Sequence, residues 1–170
     1  MLAHLWLART YQAMKKYDEA LREYRAAQTI VRDWVPTVAG MGNIYGITGQ
    51  KAEAEKTLNT LHQMSSKKYV TPYGVALVYA GFGETDKVFE YLEKAYDDRS
   101  NWLIWLNLDP RWGSVRSDKS FIALIRKVGF RLKECRYQIR NVRSNYLLTK
   151  SEMIMLLKET NSFLGITEKD

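Results

Sequence analysis

Residues able to carry chemistry are few in this chain and stand apart. The only histidines are His4 and His62, far apart and without the spacing of metal ligands. Asp97-Asp98 is an adjacent carboxylate pair. Neighbours on a helix point apart, and acids are disfavoured at the helix C-terminus where the pattern sets them. The single cysteine, Cys135, excludes an internal disulfide and a Cys-rich zinc site. It stands on an apolar stripe as a small buried hydrophobe would, with basic neighbours that would favour a thiolate. No P-loop, dinucleotide fingerprint, zinc-helix motif or serine elbow occurs. The inventory calls for no catalytic residue, no metal and no cofactor, and so for a protein that is not an enzyme.

Any function must then come from a surface, and a recurrent pattern indicates how that surface is built. Leu7, Ala8, Tyr11, Ala20, Tyr24 and Ala27 return, 34 positions on, as Met41, Gly42, Tyr45, Ala54, Leu58 and Leu61. They return again as Val75, Ala76, Tyr79, Val88, Leu92 and Ala95. A gapless repeat of about 34 residues with small, aromatic and apolar classes at fixed offsets signals stacked helix–turn–helix units. The expected helices cover about 2–14 and 18–31, then 36–48 and 52–66, then 72–80 and 86–98. Ala8, Ala20 and Ala27 are small where helix backbones cross. Gly42 is excused by the same rule. Gly40 and Gly46 are not, and each interior glycine costs about 1 kcal/mol. They imply close approach of something to that face, or a softer helix.

At these positions the chain resembles the tetratricopeptide repeat family. The matching stretches are Leu7-Ala8-Arg9-Thr10-Tyr11 with Tyr17-Asp18-Glu19-Ala20, Met41-Gly42-Asn43-Ile44-Tyr45, and Val75-Ala76-Leu77-Val78-Tyr79, over roughly residues 2–99. His4, Val38 and Pro72 stand where the family has Trp, and Arg32, Ser66 and Ser100 where it favours Pro. Leu108-Asp109-Pro110-Arg111-Trp112, continuing through Asp118, Phe121 and Gly129-Phe130, is similar to the tail that closes such arrays in large bacterial signalling proteins. Winged-helix regulators, protein kinases and nucleotide cyclases are among them. The implied fold is all-α: an α-α superhelix, a TPR-like solenoid of three helix pairs with C-terminal capping helices. Residues 1–130 would be the array with its caps, and 131–170 a C-terminal helical extension.

Past residue 99 the period stops. Trp102, Leu103, Trp105 and Leu106 can cover the apolar face that the last repeat would otherwise show. Asp109-Pro110 turns the chain, and Asp118 caps a helix bearing Phe121, Leu124, Ile125 and Val128 on one side. Leu132, Cys135, Ile139, Val142 and Tyr146 alternate by three and four, an amphipathic helix. Thr149-Lys150-Ser151-Glu152 reads as a capping box.

The net charge of +7 is unevenly spread. Residues 131–150 hold Arg131, Lys133, Arg136, Arg140, Arg143 and Lys150 against Glu134 alone. That helix is an alternative function: an accessory binder of nucleic acid or anionic surfaces. No apolar run approaches the ~20 residues that span a bilayer. The short apolar start, lacking a basic leader, reads as the first repeat helix, and the lone cysteine suits a reduced, cytoplasmic setting.

The favoured reading is a non-catalytic scaffold that binds a peptide or helix of a partner in a concave groove. Such a module serves as the sensor or docking end of a bacterial regulator. By family position the lining is Leu5, Trp6, Arg9, Gln12, Asn43, Ile47, Tyr73 and Leu77. Gly40, Gly46 and Gly74 leave room for an incoming backbone. The resemblance also implies where a carboxylate clamp would sit. Leu5, Arg9, Gly40, Val70 and Gly74 occupy those places, so the clamp is absent. Partner classes that fit are a protein or peptide, another domain of a longer chain, and a second copy.

Overall fold

A computed structural model describes residues 1–130. The expected helix bearing Cys135 and the basic residues Arg131 to Lys150, the capping box at Thr149 and the 131–170 extension lie outside the described residues. The described chain is all-α. Helices α1 (Leu2–Ala13), α2 (Tyr17–Ile30), α3 (Val35–Ile47), α4 (Lys51–Ser65), α5 (Pro72–Phe82) and α6 (Thr85–Asp97) form three consecutive pairs. Two 3-10 turns, Asn101–Trp105 and Pro110–Trp112, lead to α7 (Lys119–Lys127). The first stands where a capping helix was expected near 101–107, in the tighter 3-10 form.

The repeat pattern packs as its spacing requires. Ala8, Ala76, Ala20, Ala54 and Val88 have no exposed surface, and Gly42 is buried. Gly49 and Gly83 take positive φ and turn the chain between the helices of the second and third pairs. In the first pair Lys15 does so, a rarer choice for a residue with a side chain. Pro36 and Pro72 sit in first turns, where no N–H is needed. Thr71 stands at the N-cap of α5, yet its hydroxyl does not cap. It pairs with the Ser100 hydroxyl at 2.8 Å and ties the start of α5 to the end of α6. Asp98 is similarly engaged, accepting from the Tyr69 phenol at 3.3 Å. His4 is paired with Glu23 at 2.6 Å, across α1 and α2.

The glycines of α3 now have an explanation, and it lies inside the chain. A Cβ on Gly40 would collide with the Tyr24 ring. One on Gly46 would lie 2.6 Å from the Gly81 carbonyl carbon and 2.8 Å from the Phe82 nitrogen. One on Gly81 would strike the Asn43 carbonyl, and one on Gly74 would meet Ala39 and Val35. The room attributed to an incoming partner is occupied by Tyr24 and by the α3–α5 contact, the most extensive helix contact in the array.

Replacing Gly46 by alanine tests this packing. The substitution gains helix propensity, but the new methyl meets backbone atoms that cannot rotate away. Net destabilisation of ~1–3 kcal/mol is expected, read as a lower denaturation midpoint. An unchanged or raised midpoint would show that α3 and α5 are not in such close contact.

Candidate functional site

Three first-of-pair helices, α1, α3 and α5, present one face built around a polar ladder. Tyr24 Oη donates to Gln12 Oε1 at 3.0 Å, Gln12 Nε2 to Asn43 Oδ1 at 2.6 Å, and Asn43 Nδ2 to the Leu77 carbonyl at 2.6 Å. Gln12 and Asn43 are buried. A buried amide left unpaired costs ~1–3 kcal/mol, so each link requires the next repeat to stand in register.

Over part of this face folds the segment after the third pair. Trp105 meets the Trp6 ring edge-on at 5.3 Å between centroids. Trp102 stacks near Tyr73 at 6.4 Å, and Trp112 meets Tyr73 at 5.1 Å. Leu103, Leu106, Trp112 and Val115 are buried. Burying such side chains stabilises by ~1.5–3 kcal/mol each, so this segment belongs to the core.

Asp109 fastens the segment. Its carboxylate accepts from Arg111 Nε at 2.9 Å, Arg111 Nη2 at 2.5 Å and the Arg111 backbone N–H at 3.1 Å. It also accepts from Tyr73 Oη at 3.0 Å, and the same phenol receives Trp112 Nε1 at 2.9 Å. Arg9 of α1 approaches to 3.7 Å. Arg116 donates to the Asn107 and Asp109 carbonyls at 2.6 and 2.7 Å. Asp109 thereby joins the first helix, the third pair and its own turn.

The titration of these groups follows from burial and charge. Burial alone would raise the Asp109 carboxyl, but the Arg111 guanidinium, its hydrogen bonds and Arg9 hold it at about 2. Burial opposes the charge on Arg111, and the paired carboxylate overcomes it, leaving this group more basic than an ordinary arginine. Burial lowers Arg9, and repulsion from Arg111 lowers it further. Burial raises the phenols of Tyr24 and Tyr73, and Asp109 adds to it.

The structure sorts the eight expected groove residues into two sets. Leu5, Gln12, Asn43, Tyr73 and Leu77 are buried and form the floor. The polar ones serve the ladder and the Asp109 cluster, and the segment 101–112 covers Tyr73. Trp6 and Ile47 are 44% and 45% exposed, and Arg9 lies between the sets. Trp102 and Trp105, expected to pack on the third pair, also reach Arg9 and Trp6 on the first. Asp109, Arg111 and Trp112 lie outside the expected set. Their signal was present in Leu108-Asp109-Pro110-Arg111-Trp112, but a turn motif does not disclose a partner on α1. The alternative patch of Arg131, Lys133, Arg136, Arg140 and Arg143 lies outside the described residues. Among the described residues there is no grouping of three His, Cys, Asp or Glu suited to a metal ion. None of their helices is long and apolar enough to cross a membrane.

Compared with known families, residues 3–31, which span α1 and α2, match the tetratricopeptide repeat. Neither a curated protein nor a solved structure matches the chain.

Two measurements test the Asp109 cluster. Because its folded pKa lies below the unfolded value of 3.8, the unfolded chain binds more protons between these values. The resulting stabilisation of ~2 kcal/mol is complete above about pH 4 and lost as pH falls toward 2. Asp109→Asn should remove this part of the acid transition. At neutral pH it should cost ~3–5 kcal/mol, because Arg111 stays buried without its counter-ion. An unaltered stability profile would refute the role given to this carboxylate.

Proposed function

We propose that this chain, which carries a tetratricopeptide repeat at residues 3–31 and two further helix pairs stacked in the same phase, is a non-catalytic protein-interaction scaffold. The observation that carries the reading is that stack. Its units contact their neighbours through small-residue crossings and leave the α1, α3 and α5 side to receive a partner. Helical arrays of this kind accept a peptide or an amphipathic helix in a groove between first helices.

The groove is narrower than the repeats alone would make it, because the segment 101–112 lies against Trp6, Arg9 and Tyr73. The partner is therefore received on what remains exposed, with Trp6 as aromatic anchor and Ile47 as a second apolar contact. Leu5, Gln12, Asn43, Tyr73 and Leu77 hold that surface from below. Docking within a cytoplasmic bacterial regulator is the setting we favour. The partner is a separate protein or another domain of the same polypeptide.

Affinity capture with the full chain, followed by titration of the captured protein, tests this reading. Trp6→Ala should weaken binding by ~2 kcal/mol if the indole is a hot spot, while thermal stability shows the fold retained. Retention should survive nuclease treatment and change little with salt. Recovery of nucleic acid alone, weakening steeply as salt rises, would transfer the function to the basic residues beyond 130.

A further inference from the structure

Among the described residues the stack ends differently on its two sides. After the third pair, α7 lies against α6 and keeps Lys119, Arg126 and Lys127 exposed. Charged side chains of this kind give a stack a soluble end. At the other end stands α1. Its Gln12 reaches Asn43 of α3, and helical periodicity sets Ala3, Leu7, Thr10 and Met14 on the opposite side. These four are spaced four, three and four apart, a single helix face, and all four are exposed.

The same positions are covered in the later pairs. The counterparts of Ala3 and Thr10 are Thr37 and Ile44 in α3, and Thr71 and Val78 in α5, and all of these are buried. Val78 fits against α3, where a Cβ on Gly42 would lie 2.9 Å from its Cγ2. The counterparts of Leu7, Met41 and Val75, pack against the core. Those of Met14 are Phe82, which does the same, and Thr48, which is exposed. The interface between successive units thus continues onto α1, where no described unit covers it.

This face carries no charge. The two basic residues of α1, His4 and Arg9, are turned to Glu23 and Asp109. The Thr10 hydroxyl donates to the Trp6 carbonyl at 3.0 Å, so its donor is satisfied within the helix. Small and large residues alternate along the stripe. Laid antiparallel on its own copy about a two-fold axis, it sets Leu7 against Thr10 and Ala3 against Met14, large into small throughout. A parallel arrangement would set like against like and leave gaps at Ala3 and Thr10. The charged α7 end opposes head-to-tail growth, so association closes at two copies.

We infer that the occupant of this face is a second copy of the chain, the two packing head to head through antiparallel α1 helices. Trp6 and Arg9 lie to one side of the stripe, so the inference goes beyond the scaffold reading and is independent of it. One face of one short helix is small for a permanent dimer. Association is therefore reversible, with a Kd on the order of 10–100 μM.

Sedimentation equilibrium of the full chain over a range of concentrations tests this. A monomer–dimer equilibrium is expected. Added salt should tighten it, because each copy carries a net charge of +7. Leu7→Glu and Thr10→Lys should each weaken association at least tenfold, with circular dichroism and the thermal midpoint unchanged. An equimolar mixture of the two variants should associate again. At one crossing the two-fold axis sets the new carboxylate against the new ammonium, and at the other it keeps Leu7 against Thr10. A monomer at every concentration, growth beyond two copies, or undiminished association of Leu7→Glu overturns the inference. Weakening by salt, or a mixture that stays monomeric, overturns it too. The concentration and salt series need no variant, so they stand even where a substitution disturbs folding. None of these outcomes bears on the scaffold reading, which the captured partner's response to Trp6→Ala decides by itself.

Discussion

Asp109 is a carboxylate with 6% of its surface exposed, and a buried charge of this kind must be both paired and hydrogen-bonded. Satisfying it brings together Arg111 from its own turn, Tyr73 from the third pair and Arg9 from the first helix. These contacts hold the turn at Asp109-Pro110 against the third pair and the first helix. The aromatic residues on either side of it then fall against Trp6 and Tyr73. A repeat array is otherwise quasi-one-dimensional, each unit touching only its neighbours. Here the first and third units are also joined through the segment that follows them.

The interior of the array is specified by a second polar device. Gln12, Asn43 and the Leu77 carbonyl form one line of hydrogen bonds across three successive units, with Tyr24 closing its first end. Purely apolar helices could slide by a turn at small cost. Buried amides cannot, since each slip would strand a donor or an acceptor. The glycines act alongside the ladder. Gly46 and Gly81 let α3 and α5 approach at backbone distance, which brings Asn43 within reach of the Leu77 carbonyl. Gly40 instead admits the Tyr24 ring between the first and second units. Adjacent unit contacts are thus made differently, one by backbone proximity and one by an intervening phenol.

These two devices decide which side chains of the inner helices stay exposed. Most polar groups of the α1, α3 and α5 side are consumed internally. Among the described residues, Trp6 and Ile47 stay exposed there, and Arg9 keeps part of its surface open beside Asp109.

The all-α class, the three helix pairs, the small-residue crossings, the turn at Asp109-Pro110 and the cap at Asp118 were legible in the residues themselves. They depend on side-chain class at fixed spacing, and helical periodicity converts spacing directly into a face. The resemblance to the tetratricopeptide repeat placed Trp6 and Arg9 on the inner side of α1. It could not place their surroundings, because the groups that meet them come from residues 102–111, at the far end of the described chain. The glycines show the limit most clearly. Their excess in α3 was visible and implied either a close neighbour or a softer helix, and only the folded chain showed close neighbours in Tyr24 and α5. Sequence alone determined the repeat, because each unit is encoded locally. Tertiary structure decided which inner residues stay open, because that depended on a non-repeating segment whose buried carboxylate pairs with Arg111 of its own turn and also meets Arg9 on the first helix.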